Sequence, residues 1–198
     1  MKKDTKDMRQ HILETGYKFI VSKGFSSVGL TEILKSAGVP KGSFYYYFKS
    51  KEQFGEEIIE SYFREYLAAL EDIFQPRGES AYDRLMNYWQ RWVDTQSDPC
   101  VDQKCLVVKL SAEVADLSEP MRLALLQGSS LIVKRITDCI QAGVDDGSIV
   151  KIDASVTADL LYNMWLGATL MGKLQRNNDG LLQAMRRTAS ILTSNTAV

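Results

Sequence analysis

The chain has 198 residues, 45% of them hydrophobic and 25% charged, a composition that excludes disordered, collagen-like and disulfide-scaffold proteins. Residues 1–51 contain ten Lys or Arg and four Asp or Glu, a net charge of +6, whereas residues 52–198 contain fourteen and twenty-one, a net charge of −7. A basic first quarter before an acidic remainder indicates one region that meets a polyanion and another region with a different task. Ordinary fluctuation of charge along the chain is the alternative.

The sequence lacks the features of membrane and secreted proteins. No apolar run approaches the roughly 18 to 20 residues of a membrane span, and the charged N-terminus lacks the apolar core of a signal peptide. The three cysteines, Cys100, Cys105 and Cys139, fit a reducing compartment, where an odd number needs no pairing. We therefore expect a cytoplasmic protein without a membrane partner.

The first quarter of the chain shows the periodicity of helices. Apolar residues spaced by three and four predict a helix over residues 4–23, which Gly24 ends. Thr31 is placed to cap a second, short helix, and Gly38 is placed to close it with a positive φ. After a tight connection, an aromatic segment predicts a third helix over residues 44–48.

Longer helices are predicted over the remainder of the chain. Ser50, with Gln53 three residues later, reads as a capping box that opens a helix to about residue 74. The other helices are predicted over about residues 80–95, 104–116, 119–144, 153–176 and 181–194. No segment predicts a strand, so the sequence indicates an all-α fold of about nine helices.

Residues 31–48 predict a short helix, a turn and a second short helix, which is the helix-turn-helix arrangement. The run from Phe25 to Phe54, which contains "GLTEILKSAGVPKGSFYYYFKSKEQF", resembles the DNA-binding segment of the TetR family of bacterial transcriptional repressors. In that family's pattern Thr opens the first helix, Ala-Gly-Val precedes the turn, Gly with Ser or Thr opens the recognition helix, and Tyr-x-His/Tyr-Phe precedes a Lys. The matching residues are Thr31, Ala37, Gly38, Val39, Gly42, Ser43, Tyr45, Tyr46, Tyr47, Phe48 and Lys51.

The resemblance implies a helix-turn-helix DNA-binding domain at residues 1–49 and a helical sensing and dimerisation domain at residues 50–198. It implies a repressor that binds a palindromic, double-stranded operator as a homodimer, and it implies no enzyme activity. A two-fold protein is the natural reader of half-sites that are related by two-fold symmetry.

The residue types support the DNA-binding prediction. Lys41 can reach a base edge or a phosphate, Gly42 lets the backbone approach DNA closely, and Ser43 with the amides around it can bind phosphate oxygens. Lys51 lies in the first turn of its helix, where the dipole disfavours a cation, and a nearby phosphate would explain it. The predicted DNA-binding residues are Thr31, Lys41, Gly42, Ser43, Tyr45, Tyr46, Tyr47 and Lys51.

Three consecutive tyrosines mark the predicted recognition helix. Successive residues of a helix point about 100° apart, so Tyr45, Tyr46 and Tyr47 cannot all face a core, and we expect at least two to be exposed. Their hydroxyls can bind phosphates, and their ring edges can contact thymine methyl groups. Phe44 and Phe48, four residues apart, are expected to fill the core of the domain. The alternative is an aromatic helix used only for packing.

Two later segments carry a second resemblance. "CLVVKLSAEVADLSEPMR" at residues 105–122 and "YNMWLGATLMGKLQR" at residues 162–176 resemble the N-ethylmaleimide reductase repressor branch of the TetR family, whose members sense electrophiles and oxidants. This resemblance implies that Cys105 is a sensor thiol and that a reactive electrophile or an oxidant is the inducer.

The residues themselves also favour Cys105 among the three thiols. It lies at the predicted N-terminus of a helix, beside Lys104 and one turn from Lys109, and helix amides and cations lower the pKa of a thiol. Cys139 lies in mid-helix, as a small buried residue does, and Cys100 lacks adjacent cations.

Lys173 is a second candidate sensing residue, because it lies in an apolar stretch with no acidic neighbour within three residues. Desolvation would lower its pKa and leave an amine able to react with a modified Cys105 or to be coupled to its charge. The alternative is a Lys that reaches solvent from a dimer interface.

Apolar stripes on the last two predicted helices suit a four-helix interface between two subunits, with Gly167 and Ala168 allowing close approach. The same stripes would also suit the core of a single chain. The predicted interface residues are Leu161, Met164, Ala168, Met171, Leu181, Met185, Thr188 and Leu192.

Other functions have weaker support in the sequence. Aromatic residues of the second region would line a pocket for a reversible, apolar small-molecule inducer, or would be core. A cysteine-dependent enzyme would need a base, and His11, the single histidine, is far in sequence from every Cys. No spacing of Cys and His suits a metal, so we predict neither a metal nor a cofactor. The aromatic residues are Tyr62, Tyr66, Tyr88, Trp89 and Trp92.

Overall fold

A computed structural model of the chain describes residues 5–97 and 105–194. Within these ranges it contains nine α-helices and no strand, so the predicted all-α fold is confirmed. No helix in this part of the chain has the length and apolar character needed to cross a membrane. The helices are α1 (Thr5–Lys23), α2 (Leu30–Ala37), α3 (Lys41–Tyr47), α4 (Lys51–Phe74), α5 (Ala81–Ser97), α6 (Leu106–Val114), α7 (Glu119–Asp146), α8 (Ala154–Gln175) and α9 (Asp179–Thr193).

The chain forms two compact units. The first unit combines Met1–Arg64 with Asp102–Gly128, and thus holds α1 to α3, α6 and the first parts of α4 and α7. Its core contains three phenylalanines whose rings meet edge to face or tilted: Phe54 lies 5.5 Å from Phe44 and 4.9 Å from Phe48 between centroids. The predicted core role of Phe44 and Phe48 is therefore confirmed, since both are fully buried.

The second unit combines Glu65–Val101 with Ser129–Val198 and has an aromatic core. Trp89 of α5 stacks on Trp165 of α8, with ring centroids 4.6 Å apart and planes 10° apart. Two indole N–H groups donate to threonine hydroxyls, Trp92 Nε1 to Thr169 at 2.9 Å and Trp165 Nε1 to Thr188 at 3.0 Å. These hydrogen bonds offset the cost of burying polar atoms among aromatic rings.

The units do not divide at residue 49. The helix α4 runs unbroken from Lys51 to Phe74 and belongs partly to each unit, and α6 belongs to the unit that contains α1 to α3. The predicted boundary between 1–49 and 50–198 separates domains by task, and it stays a prediction.

The starts of the two short helices differ from expectation. Gly29, not Thr31, caps α2, because its extended backbone (φ −79°, ψ 136°) lets its carbonyl accept from Glu32 and Ile33. At the other end, Gly38 has the predicted positive φ of 67° and its amide donates to the last turn. The helix α3 begins three residues earlier than predicted, at Lys41, with Pro40 as its N-cap.

Candidate DNA interface and sensor thiol

The helix α3 separates its aromatic residues onto two faces. Phe44 is fully buried, whereas Tyr45 is 61% exposed and Tyr46 is 75% exposed. Tyr47 is half-buried and meets the Tyr46 ring edge to face at 5.1 Å, so the two rings support each other. The prediction that at least two tyrosines are exposed is confirmed. The outward face of α3 therefore offers aromatic edges and phenol hydroxyls to an external partner.

The start of α3 is open to the surroundings. Lys41 and Gly42 are exposed, and a side chain built on Gly42 would meet no atom within 4 Å. Nothing within the described chain requires a glycine here, which fits a backbone that is approached closely by another molecule. Ser43 is half-buried and its own backbone amide donates to the Pro40 carbonyl at 2.9 Å, which leaves its hydroxyl for a phosphate; the role of Ser43 at DNA stays a prediction.

Two further predicted contacts lie on neighbouring helices. Thr31 is exposed on α2. Lys51, at the start of α4, donates from Nζ to the Phe25 carbonyl at 2.9 Å and lies 4.6 Å from the centroid of the Phe25 ring. This internal contact explains a cation in the first turn without a phosphate, so the role of Lys51 at DNA stays a prediction. Lys35 and Lys49 are exposed cations of the same unit that the sequence analysis did not single out.

Cys105 is the N-cap of α6, as its predicted place at a helix N-terminus requires, and only 6% of its surface is exposed. Its carbonyl accepts from the Lys109 amide at 3.2 Å. The Lys109 ammonium donates to the Ser22 carbonyl at 3.3 Å, near the end of α1, where exposed carbonyls attract a cation. The Lys109 ammonium is thus hydrogen-bonded to the end of α1. Lys104 and Cys100 lie outside the described residues.

Cys139 has a different environment. It lies in mid-helix on α7, is buried, and donates weakly to the Ala81 carbonyl at 3.5 Å. Burial raises the pKa of this thiol to about 11, although the Arg84 guanidinium partly opposes the shift. At neutral pH it is protonated, so the prediction of a small buried residue is confirmed.

One carboxylate that the sequence analysis did not mention joins α6 to the turn between α1 and α2. Glu113 accepts hydrogen bonds from the Phe25 amide, at 3.0 Å, and from the Ser26 amide. Burial disfavours its charge, but the Ser26 and Phe25 hydrogen bonds and the Lys109 charge outweigh that effect, so its pKa is lowered. No periodicity or motif signals this contact, because 88 residues separate Glu113 from Phe25.

Lys173 is exposed on α8. Its apolar neighbours Leu170, Met171 and Leu174 are also exposed in the single chain. The chemical role of Lys173 stays a prediction.

Four of the eight predicted interface residues are already buried within one chain, and the predicted interface stays a prediction. Leu161, Leu181, Thr188 and Leu192 are at most 1% exposed within one chain, because α8 and α9 bury this stripe against each other and α5. Met164, Ala168 and Met185 are half-buried, and Met171 is exposed. A different apolar stripe faces outward, on residues whose spacing along α8 is helical; it comprises Val156, Leu160, Leu170 and Leu174, with Leu182 on α9.

The five aromatic residues proposed for a pocket are mostly core. Tyr88, Trp89 and Trp92 are buried, and the Tyr66 and Tyr88 hydroxyls lie 2.9 Å apart. Tyr62 is half-buried and belongs to the first unit, where it stacks on Tyr17. Among the described residues, the Trp89 indole N–H is buried without a hydrogen-bond partner.

Comparison with known proteins identifies the family. Residues 12–58 match the family model for bacterial regulatory proteins of the tetR family, and residues 81–188 match the tetracyclin repressor-like C-terminal domain. The chain belongs to the TetR family. It is thus a helix-turn-helix transcriptional regulator, and α2 and α3 lie in the segment that the DNA-binding family model covers.

Relatives within the TetR family match nearly the whole chain. The HTH-type transcriptional repressor NemR of Escherichia coli strain K12 is 37% identical over 190 residues, which cover 95% of each chain. The HTH-type transcriptional repressor DhaR of Mycobacterium sp. strain GP1 is 33% identical over 177 residues, 89% of this chain and 87% of the relative. The crystal structure of E. coli NemR in its reduced form aligns with a TM-score of 0.89, covering 97% of this chain and all of that one.

Proposed function

We propose that this TetR-family regulator is a repressor that binds a palindromic operator as a homodimer and is released when an electrophile or an oxidant modifies Cys105. The observation that carries the proposal is the division of α3, which fills the core with Phe44 and turns Tyr45 and Tyr46 outward. An operator lies in the bacterial cytoplasm, where the proposal places the protein.

In this proposal α3 enters the major groove. Lys41 and the two exposed tyrosines reach base edges and phosphates, and Gly42 allows the start of the helix to approach the backbone. Exposed Thr31 and half-buried Lys51 add contacts to the flanking phosphates. Binding through these cations is expected to weaken steeply as the salt concentration rises, because counterions are released from the DNA.

The homodimer of this proposal uses the outward stripe of α8 and α9. Val156, Leu160, Leu170, Leu174 and Leu182 are each at least 46% exposed in the single chain. A row of apolar side chains on two adjacent helices suits a two-fold contact with the same row of a second copy.

The chemistry at Cys105 follows from its place. A thiolate adds to the electron-poor carbon of an alkene such as a maleimide: a C–S bond forms, the C=C π bond breaks, and the neighbouring carbon takes up a proton. Cys105 is buried at the start of α6, so an adduct is expected to displace that helix. If the shifted helix is less favourable in the DNA-bound state than in the free state, DNA affinity falls by that difference in free energy. The reduced form of NemR supports a redox-active group in this branch of the family.

The proposal is tested by fluorescence anisotropy on duplex DNA from just upstream of the coding region. The reduced protein is expected to bind tightly and salt-sensitively, and one equivalent of N-ethylmaleimide is expected to release it. Cys105→Ser is expected to keep DNA binding and lose the response, whereas Cys139→Ser, the matched control, keeps both. A Cys105→Ser variant that responds fully would contradict the thiol switch, and a Lys173→Gln variant with an unchanged response would remove Lys173 from it.

A second candidate keeps DNA binding but replaces thiol chemistry with reversible capture of a small apolar ligand. The observation that favours it is the buried Trp89 N–H, a donor that a ligand acceptor would satisfy. It predicts release by a non-reactive aromatic compound and indifference to Cys105→Ser. A cysteine-dependent enzyme, which turnover beyond one equivalent of electrophile would reveal, has no comparable support, and NemR and DhaR are named as repressors.

A further inference from the structure

Two side chains of α6, one helical turn apart, form hydrogen bonds to the end of α1 and to the turn that follows it. Lys109 donates to the Ser22 carbonyl, and Glu113 accepts from the Phe25 and Ser26 amides. The signs of the charges match the backbone: carbonyls at the end of α1 meet an ammonium, and amides of the turn meet a carboxylate. All of these residues belong to the first unit.

The turn is shaped to the carboxylate. Gly24 has a φ of 89°, and a side chain built there would lie 2.9 Å from Oε2 of Glu113. A residue with a Cβ would therefore be strained by its backbone conformation and would also press against Glu113. The oxygen concerned is the one that accepts from the Phe25 amide, so the hydrogen bond and the glycine together leave the turn and the carboxylate one arrangement.

Both backbone polar groups of Phe25, its amide and its carbonyl, are hydrogen-bonded to side chains of other helices. Its amide donates to Glu113 of α6, and its carbonyl accepts from Lys51 of α4. The Phe25 ring is buried, with the Lys51 ammonium above it. Five residues later α2 begins, and Gly38 and Pro40 connect α2 directly to α3. The position of Phe25 therefore sets where the helix-turn-helix begins.

We propose that Glu113 is a positioning residue for DNA binding: its carboxylate fixes the α1–α2 turn in the arrangement that presents α3 to DNA, and it transmits displacement of α6 to the helix-turn-helix. Cys105 lies at the other end of the same helix, eight residues or about 12 Å along its axis. The transmission from Cys105 rests on the proposed function, whereas the positioning role does not.

The test compares Glu113→Ala and Glu113→Gln with Asp116→Asn in the full-length protein. The Gln variant keeps size and an acceptor oxygen and loses only the charge, so it also serves if the Ala variant fails to fold. Asp116 is an exposed carboxylate in the turn after α6 and is the matched control for loss of one negative charge. Each variant is measured for operator affinity before and after alkylation, and for hydrogen exchange at the Phe25 and Ser26 amides.

Glu113→Ala is expected to weaken operator binding of the reduced protein about tenfold, with a smaller loss in the Gln variant and less than a twofold change in the control. The Phe25 and Ser26 amides are expected to exchange faster in both Glu113 variants only. The ratio of affinities before and after alkylation is expected to fall towards one, which a merely structural role would not produce in a folded dimer.

Wild-type affinity and wild-type exchange in the Glu113 variants would overturn the positioning role. A loss of affinity with an undiminished alkylation ratio would overturn transmission through Glu113. If the wild-type protein ignores alkylation, the thiol switch of the proposed function fails, and the affinity and exchange results still decide the positioning role separately.

Discussion

Aromatic residues have opposite surroundings in α3 and in the core of the second unit. In α3, Tyr45 and Tyr46 project outward beside buried phenylalanine, whereas Trp89 and Trp165 stack face to face inside their unit. The buried Trp165 N–H has a threonine hydroxyl as its partner, the buried Trp89 N–H has none, and an exposed phenol needs none within the chain. One set of rings stabilises the fold, and the other set is available for binding. Substitutions in the two regions should therefore separate stability from DNA affinity.

The largest effect is expected from Trp165→Ala. Removing a fully buried indole that stacks on Trp89 leaves a cavity and should lower the free energy of unfolding by about 3–5 kcal/mol. Urea unfolding followed by circular dichroism, at one fixed protein concentration, measures the change. A loss under about 1 kcal/mol would mean that the stack contributes little, contrary to the comparison.

Substitution of the exposed tyrosines of α3 is expected to lower DNA affinity and to leave stability unchanged. Tyr45→Ala and Tyr46→Ala are each expected to weaken operator binding about tenfold, because each removes groove contacts, with unfolding unchanged within about 0.5 kcal/mol. Anisotropy titrations and urea unfolding of the same samples give both quantities. The Phe variants isolate the hydroxyls. If the Ala variants unfold at lower urea concentration than the wild type and bind operator normally, the tyrosines of α3 serve packing and not DNA binding.

A smaller effect is expected from Thr169→Val, which keeps the shape of the side chain and removes the acceptor for the Trp92 N–H. An unsatisfied buried donor should cost about 1–2 kcal/mol. Thr193→Val is the matched control, because Thr193 also bonds the carbonyl four residues earlier but is exposed. Equal losses in thermal melting for the two variants would show that the indole hydrogen bond adds nothing.

The smallest effect concerns pH and the charged contact of the first unit. The folded-state pKa of Glu113 is lowered from 4.5, so its stabilising contribution is present above pH 4.5 and is lost as the pH falls through the lowered value. Melting temperatures of the wild type and Glu113→Gln should therefore differ at pH 7 and converge in acid. A difference that stays constant down to pH 3 would contradict the lowered pKa.

Local patterns predicted much of this molecule. Helical spacing predicts the helices, and the 100° step between successive residues predicts that Phe44 is buried while Tyr45 and Tyr46 are exposed. The Ser50 hydroxyl caps α4 as predicted, accepting from the Gln53 backbone amide at 3.1 Å, whereas the Gln53 side chain accepts from the Lys49 amide rather than from that of Ser50. Each of these features depends on residues within one or two helical turns, which a sequence displays directly.

Features that depend on distant partners escaped prediction. The helix α8 is apolar on several sides, so the sequence does not reveal which stripe packs on α9 and which faces outward. The Lys51 contact joins residues 26 positions apart, and the Glu113 contact joins residues 88 positions apart. No local period encodes such pairs, since only the packing of the helices brings them together.

The first unit draws on two separate stretches of the chain, Met1–Arg64 and Asp102–Gly128. An engineer who exchanges DNA-binding heads between relatives by cutting after α3 would separate Phe25 from both Lys51 and Glu113. Hybrid regulators built from this protein therefore need to keep α6 and the start of α4 together with the DNA-binding segment. A single junction near residue 49 would not do so.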